Sequence, residues 1–320
     1  MLNNSYSKEL QTVHAALSEA ALLCRSVQDR VAITKGDRSP VTIADFGSQA
    51  LVCRALREAF PDDPIIAEED STMLRADAQT ELRETLGQHL EVIRPGTSLK
   101  SALQWIDYGN AETYSDRFWT LDPIDGTRGF LRKGHFAVAL ALIIEGEVAV
   151  AGLACPNLDQ NIFMAAKECG AKLGESPLRV STIEAMEHAR ICESVESSHS
   201  AHEDVQKVVE HLGIAAERKR LDSQAKYAVV ACGDAEIYMR LPTRKDYVER
   251  IWDHAAGALL LTEAGGEVTD CAGKELDFSC GRGLENNHGI IGTNGKVHGE
   301  VIEALKTLNI GQPIIRNISN

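Results

Sequence analysis

Asp122 and Asp125, in the run Asp122-Pro123-Ile124-Asp125-Gly126-Thr127, are the residues of this chain best placed to do chemistry. Two carboxylates at that spacing, with a hydroxyl just beyond them, suit a pair of hard cations beside a phosphate. Pro123 fixes its own φ and restricts Asp122, so the loop is stiff. Gly126 permits close backbone approach, and Thr127 supplies the hydroxyl. The competing reading is a solvated Asp-Gly turn, which this run alone does not exclude.

Other acids fall at expected strand ends or helix starts. They are Asp45, the run Glu68-Glu69-Asp70, and Asp253 in Ile251-Trp252-Asp253-His254-Ala255-Ala256-Gly257. Gathered in one pocket, such carboxylates repel one another unless divalent cations bind. Mg²⁺ is the natural choice, because it prefers oxygen ligands, keeps waters and is often completed by substrate phosphate. Two such ions can bridge a phosphoryl oxygen, activate a water and neutralise the leaving oxygen. Transfer to water then needs mainly positioning and charge stabilisation. The N–H groups of Gly126 and Thr127 would hold the phosphate if a helix starts there. Singly, each acid has a duller reading: Asp253 as a helix N-terminal charge, Glu68 to Asp70 as a solvated turn. Their joint occurrence in this order weighs against those readings.

The elements that must position these residues can be read from periodicity. Residues 7–28 carry Leu10, Val13, Leu17, Ala20, Ala21 and Cys24 at helical spacing. A turn at Lys35 to Pro40 precedes Val41 to Asp45, and a second helix is expected from Phe46 to Phe60. Pro64 to Ala67 reads as a short strand that delivers Glu68, and Arg117 to Leu121 as the strand that delivers Asp122. Helices are expected around 77–90 and 98–106, and a hairpin over Ala137 to Val150 turning at Glu145-Gly146, its second arm running on to Cys155. Asn161 to Ala165 is a further strand, and Gly174-Glu175-Ser176-Pro177 marks a domain boundary. Beyond it, strands at Arg190 to Cys192 and Tyr227 to Val230 alternate with helices at 201–211 and 254–264, an α/β pattern. Neither a P-loop nor a dinucleotide-binding glycine fingerprint occurs.

At 320 residues the chain exceeds the usual size of a single core, so two domains are expected. Its net charge of −14, without a dense basic patch, argues against nucleic acid or a membrane surface as partner. Bound cations would still let an acidic protein handle an anionic substrate. No apolar run reaches membrane-spanning length, and the first residues lack the pattern of a signal peptide. The eight cysteines form no CxxC pair and sit mostly among apolar residues. Buried thiols in a reducing, cytoplasmic setting are therefore expected.

The Glu68-Glu69 pair after a short strand, Asp122 to Thr127, and Trp252 to Gly257 together resemble the signature of the Mg²⁺-dependent, lithium-sensitive inositol monophosphatase superfamily. Pro40 to Ala50, Gly129 to Arg132, Leu221 to Tyr227 and Tyr238 to Pro242 are similar to its 3′(2′),5′-bisphosphate nucleotidase branch. The resemblance runs from about residue 7 to 295. It implies a layered αβαβα fold with an α+β metal-binding domain over 1–183 and an α/β nucleotide-binding domain over 184–320.

For the site, the resemblance implies Glu68, Asp122, the Ile124 carbonyl, Asp125 and Asp253 as ligands of two or three Mg²⁺ ions. Thr127, paired with Asp45 or with Glu68, would orient and deprotonate the attacking water. Gly126, Thr127 and Asp253 would face the phosphate, and His199, Ser200, Ser223, Lys226 and Arg240 the nucleotide. Lys226 and Arg240 are the cations expected on the 5′-phosphate. Arg128 and Lys133 flank the core motif. The implied reaction is loss of the 3′-phosphate from adenosine 3′,5′-bisphosphate, and from 3′-phosphoadenylyl sulfate, with Li⁺ as inhibitor. A monomer or weak homo-oligomer is expected. The rivals are an inositol polyphosphate 1-phosphatase, a dual-specificity enzyme, and a non-catalytic nucleotide sensor. Residues 71–116 follow no pattern of the branch, and a mobile flap is the expectation there.

Overall fold

The computed structural model describes residues 4–28, 32–34, 40–158, 161–196, 200–244 and 246–311. The expected turn at Lys35 to Ser39 and the candidate ligand His199 lie outside the described residues. The chain opens with α1 (Ser7–Val27), the ribbon of β1 (Ala32–Thr34) and β2 (Pro40–Thr42), and α2 (Ile43–Ala59). β3 (Ile65–Ala67) is followed by α3 (Thr72–Arg75), α4 (Thr80–Ile93) and α5 (Leu99–Asp107). Next come β4 (Arg117–Asp125), α6 (Thr127–Leu131), β5 (Ala137–Ile144), β6 (Glu147–Cys155), β7 (Asn161–Ala166), β8 (Gly170–Leu173) and β9 (Ser176–Pro177). The second half comprises β10 (Ile191–Ser194), α7 (His202–His211), β11 (Lys219–Leu221), α8 (Ala225–Ala231) and β12 (Ile237–Arg240). It closes with α9 (Ala255–Glu263), β13 (Glu267–Thr269), β14 (Ile290–Thr293) and α10 (His298–Thr307).

Among the described residues, β3 to β9 form a seven-stranded sheet in sequence order, and a five-stranded sheet runs β11-β10-β12-β14-β13. Strand alternation divides the core into layers. On β5, Val138, Leu140 and Leu142 pack with α1 and α2. Ala137, Ala139, Ala141 and Ile143 point the other way, toward α8 and α9. The small residues on that face leave room for α9, a helix apolar all round that is buried from Ala255 to Leu261. Tyr238 and Ile290 of the second sheet close the same layer. Ile237, Met239 and Ile291 face outward onto α7 and α10. The order is thus helices, sheet, helices, sheet, helices, the expected αβαβα layering.

Three local expectations differ from what is found. Tyr227 to Val230 is part of α8, not a strand; a short run buried on all sides has no period to distinguish the two, and Ala225, Ala228 and Ala231 favour helix. Gly174 to Pro177 turns the β8–β9 hairpin at the edge of the first sheet rather than linking two units. In the segment 71–116, α4 and α5 are packed on the core through buried Leu86, Leu90, Ala102 and Ile106, not laid out as a flap. No helix among the described residues is long and apolar enough to cross a membrane.

Candidate active site

The site is assembled at the ends of two parallel strands. β3 pairs with β4 so that Ala67 lies opposite Leu121, and the N–H of Glu68 donates to the Leu121 carbonyl at 3.2 Å. This register sets Glu68, just past the end of β3, beside Asp122 of β4. Beyond Asp122 the pairing of β4 with β5 shifts, with a bulge before Asp125. Pro123 has no N–H to give to the ladder, and the Asp122 Oδ1 takes the N–H of Ile124 instead, at 3.1 Å. The bulge re-aims Asp125, as such features do at sheet rims. Gly126 then takes φ +84°, and a β-carbon there would lie 3.1 Å from that of Ser223, so two constraints favour glycine. α6 starts directly after it, as the phosphate reading required.

Asp45 reaches the site from α2, which begins at Ile43 rather than Phe46. Thr42 and Asp45 form a capping box, in which the Asp45 Oδ2 accepts the Thr42 N–H at 2.8 Å and its hydroxyl at 2.7 Å. Its Oδ1 is left to accept from the Thr127 Oγ1 at 3.3 Å. Thr127 has a second acceptor in the Ile124 carbonyl, at 3.2 Å. Of the two partners considered for Thr127 in the sequence, the structure pairs it with Asp45.

Asp253 comes from the second half of the chain, in the turn Ile251–Asp253 just before α9. Its Oδ2 meets the Arg240 guanidinium at 3.2 Å. Arg240 also pairs with Glu249 at 2.7 Å, and Glu249 contacts the His254 Nε2 at 3.2 Å. His254 Nδ1 lies 2.9 Å from the Tyr227 hydroxyl, which ends this buried polar chain. Asp125 is tied to the same half of the molecule, because its Oδ2 accepts the Gln224 N–H at 2.6 Å.

A cleft of about 1030 Å³ runs between the halves. Its lining includes Glu68, Asp122, Ile124, Asp125, Gly126 and Thr127 on one side, and Ser223, Arg240 and Asp253 on the other. Three expected residues are not on its wall. Asp45 stands behind Thr127. Ser200 is fully buried, its hydroxyl holding the Leu241 N–H at 3.2 Å. The Lys226 ammonium points into protein, donating to the carbonyls of Leu221 at 3.2 Å and Ser223 at 2.7 Å. At the rim, Arg128 and Arg132 both pair with Glu196, and Arg132 reaches Asp222 at 2.8 Å.

The electrostatics show a site short of positive charge. Burial, then the charges of Glu68, Asp125, Asp253 and Asp45, push the Asp122 carboxyl well above the usual range. Burial also raises Asp125, against the pull of Lys226 and Arg240. Asp253 is pushed up to about 7, by burial first and then by Asp125 and Glu249, against Arg240 and His254. Asp122 has no ion pair among the described residues, and is only 2% exposed. A buried carboxylate without a counter-charge is costly, and a divalent cation supplies that charge with the oxygen donors it prefers. The donor set therefore fits hard divalent ions. Among the described residues, the tightest geometric cluster is elsewhere: Glu249, Asp253 and His254. That cluster is already compensated by Arg240, whereas Asp122 has no such counter-charge among the described residues.

Sequence reasoning missed Glu249, Gln224, Arg282 and Trp252 as parts of this site. Arg282 stacks on Trp252 at 4.6 Å and donates to the Ala67 carbonyl at 2.9 Å, beside Glu68. Gln224 and Trp252 stood inside motifs already singled out. Glu249 sits in the charged run Arg244 to Arg250, which in sequence looks like a solvated loop.

Helices and sheets thus alternate in layers around a carboxylate-lined cleft. The chain belongs to the inositol monophosphatase family, whose model matches residues 6–309. That family is metal-dependent. Its relatives include the 3′(2′),5′-bisphosphate nucleotidase of Schizosaccharomyces pombe, 38% identical over 98% of this chain and 99% of that protein. The enzyme of the same name from Emericella nidulans is 40% identical, over 94% of this chain and 98% of its own. The Oryza sativa nucleotidase is also 40% identical, over 95% of each chain. Among solved structures, the Thermotoga maritima IMPase superposes with a TM-score of 0.69 at 23% identity, over 94% of this chain and 98% of that one. The Anabaena inositol monophosphatase gives 0.64 at 23% identity, over 96% and 97%.

Proposed function

We propose that this protein removes the 3′-phosphate of adenosine 3′,5′-bisphosphate, giving AMP and inorganic phosphate. The observation that carries the reading is the cleft itself, which sets the carboxylates of the first half against Ser223 and Arg240 of the second. Near-complete coverage of relatives named as bisphosphate nucleotidases supports it. Glu68, Asp122, the Ile124 carbonyl, Asp125 and Asp253 would hold two or three Mg²⁺ ions, which supply charge neutralisation at phosphorus and make the attacking water more acidic.

The chain's own groups then orient the reaction. Thr127 gives its proton toward Asp45 Oδ1, so a lone pair on its oxygen accepts a proton from the attacking water. The water attacks phosphorus in line as the bond to the 3′-oxygen breaks; that oxygen takes a proton from solvent to become the ribose hydroxyl, and Asp45 returns its proton to solvent. The N–H groups of Gly126 and Thr127 hold the phosphate. Ser223 and Arg240 hold the nucleotide, Arg240 acting on the retained 5′-phosphate as a fork-shaped donor. Lys226 and Ser200 act indirectly: Lys226 holds the turn that presents Ser223, and Ser200 the chain just after Arg240. The reading extends to 3′-phosphoadenylyl sulfate, which carries the same scissile group. A cytoplasmic setting is supported by eight free thiols. Phosphorus NMR of the product tests the assignment directly. A retained 5′-phosphate signal is expected, and release of the 5′-phosphate instead would overturn it.

A further inference from the structure

Gln224 is one of the residues through which the two halves of the site touch. It is 2% exposed, and each of its polar groups is engaged. Its main-chain N–H donates to Asp125 Oδ2 at 2.6 Å, at the end of the first sheet. Its side-chain Nε2 donates to the Trp252 carbonyl at 2.8 Å, one residue before Asp253. Its Oε1 accepts the Gly257 N–H at 2.9 Å, in the first turn of α9. That N–H has no acceptor within its own helix, so Gln224 caps α9 from outside. Gly257 leaves no slack on the other side, since a β-carbon there would lie 2.2 Å from the Tyr227 ring.

We propose that Gln224 is a positioning residue that sets the separation of Asp125 and Asp253, and with it the affinity of the site for divalent cations. The inference rests on reading these carboxylates as cation ligands. Two like charges on different halves of a chain repel one another, and the Arg240 guanidinium at Asp253 offsets that repulsion without tying Asp253 to the turn that carries Asp125. Gln224 supplies that tie from both ends, its backbone fixing Asp125 and its amide fixing the turn that carries Asp253. Loss of the amide removes the link from this turn to Trp252 and Gly257 and leaves Asp253 to the Arg240 contact, while the main-chain contact to Asp125 persists.

The test is calorimetric titration of the full-length, metal-free protein with MgCl₂, together with thermal melts, for wild type, Gln224→Ala and Gln224→Met. Methionine keeps the volume and packing but makes neither side-chain hydrogen bond, which guards against an alanine variant that fails to fold. Mg²⁺ affinity is expected to fall about 10–100-fold in both variants at temperatures well below unfolding. A lower melting temperature with unchanged affinity in Gln224→Met would make Gln224 a packing residue and overturn the proposal. The two readings separate cleanly. Wild type that spares the nucleotide but binds Mg²⁺ at least tenfold more tightly than Gln224→Met loses its proposed substrate and keeps this role for Gln224. Wild type that turns over the nucleotide, with Gln224→Met binding Mg²⁺ normally, keeps the substrate and loses the role. A wild type that binds no Mg²⁺ overturns both.

Discussion

The Thr127 hydroxyl lies 3.3 Å from Asp45 Oδ1, while the other oxygen of Asp45 closes the capping box of α2. One carboxylate thus starts a helix and holds the hydroxyl proposed to act on the attacking water. Because the capping box fixes its orientation, the pair is pre-set before any ligand arrives.

Asp45→Asn is expected to lower kcat about 100- to 10,000-fold, the range lost with a general base. It should also cost about 1 kcal/mol of stability through the weakened cap. Thr127→Ala should match the kinetic loss without the stability loss, and Thr127→Ser should retain most activity. Steady-state kinetics and thermal melts separate the two roles. A Thr127→Ala protein with normal kcat would remove Thr127 from the reaction.

Asp122 is the most crowded of the carboxylates, raised by burial and by four other acids. Asp122→Asn should abolish turnover and weaken Mg²⁺ binding. The same change should leave the metal-free protein at least as stable as wild type, because it removes a buried charge without a partner. Calorimetric titration and metal-free melts check both halves. A destabilised metal-free variant would mean that Asp122 is compensated within the protein.

The pH dependence of metal-free stability has a definite sign. The Asp253 carboxyl is raised from 3.8 to about 7, so between these values the folded state keeps a proton that the unfolded chain has released. Its contribution is therefore full below the lower value and is lost as pH rises through the upper one. Glu249 moves the other way: burial raises it, but Arg240 and His254 more than reverse this and hold it at about 2. Its contribution is lost only in strong acid. Melting temperature without metal should thus fall between about pH 4 and about pH 7 in wild type, and fall less in Asp253→Asn. Mg²⁺ should reverse the fall in wild type. Parallel slopes in the two proteins would rule out Asp253 as the source.

Arg240 pairs with both Glu249 and Asp253 while facing the cleft. Arg240→Ala should depress kcat/KM for every substrate, since it removes the cation from the half-buried Asp253 and leaves the buried Glu249 only His254. The informative quantity is the ratio of kcat/KM for adenosine 3′,5′-bisphosphate to that for adenosine 3′-monophosphate. That ratio should drop at least tenfold, about 1.4 kcal/mol, if Arg240 holds the 5′-phosphate. An unchanged ratio would assign Arg240 to positioning Asp253 alone.

Much of this site is visible in the sequence because strand ends and turn chemistry are local. Glu68, Asp122 and Asp125 could be placed from short apolar runs and one proline. The partners of those residues are not local. Gln224 meets Asp125 across 99 positions of sequence, and only the layered packing of α8 and α9 brings them together. α8 itself reads as a strand in sequence, since a helix buried on every side carries no amphipathic signal. The inward turn of the Lys226 side chain is likewise a product of packing, as sequence records its charge but not its direction.

The central claim is that the cleft is built for a nucleotide with two phosphates. Phosphate release should be measured from adenosine 3′,5′-bisphosphate, inositol 1,4-bisphosphate and AMP, with Mg²⁺ and then with added Li⁺. The account expects rapid, Mg²⁺-dependent, Li⁺-inhibited release from the adenosine bisphosphate and none from AMP. Preference for the inositol substrate would contradict it, leaving the carboxylate site intact and the nucleotide wall misassigned.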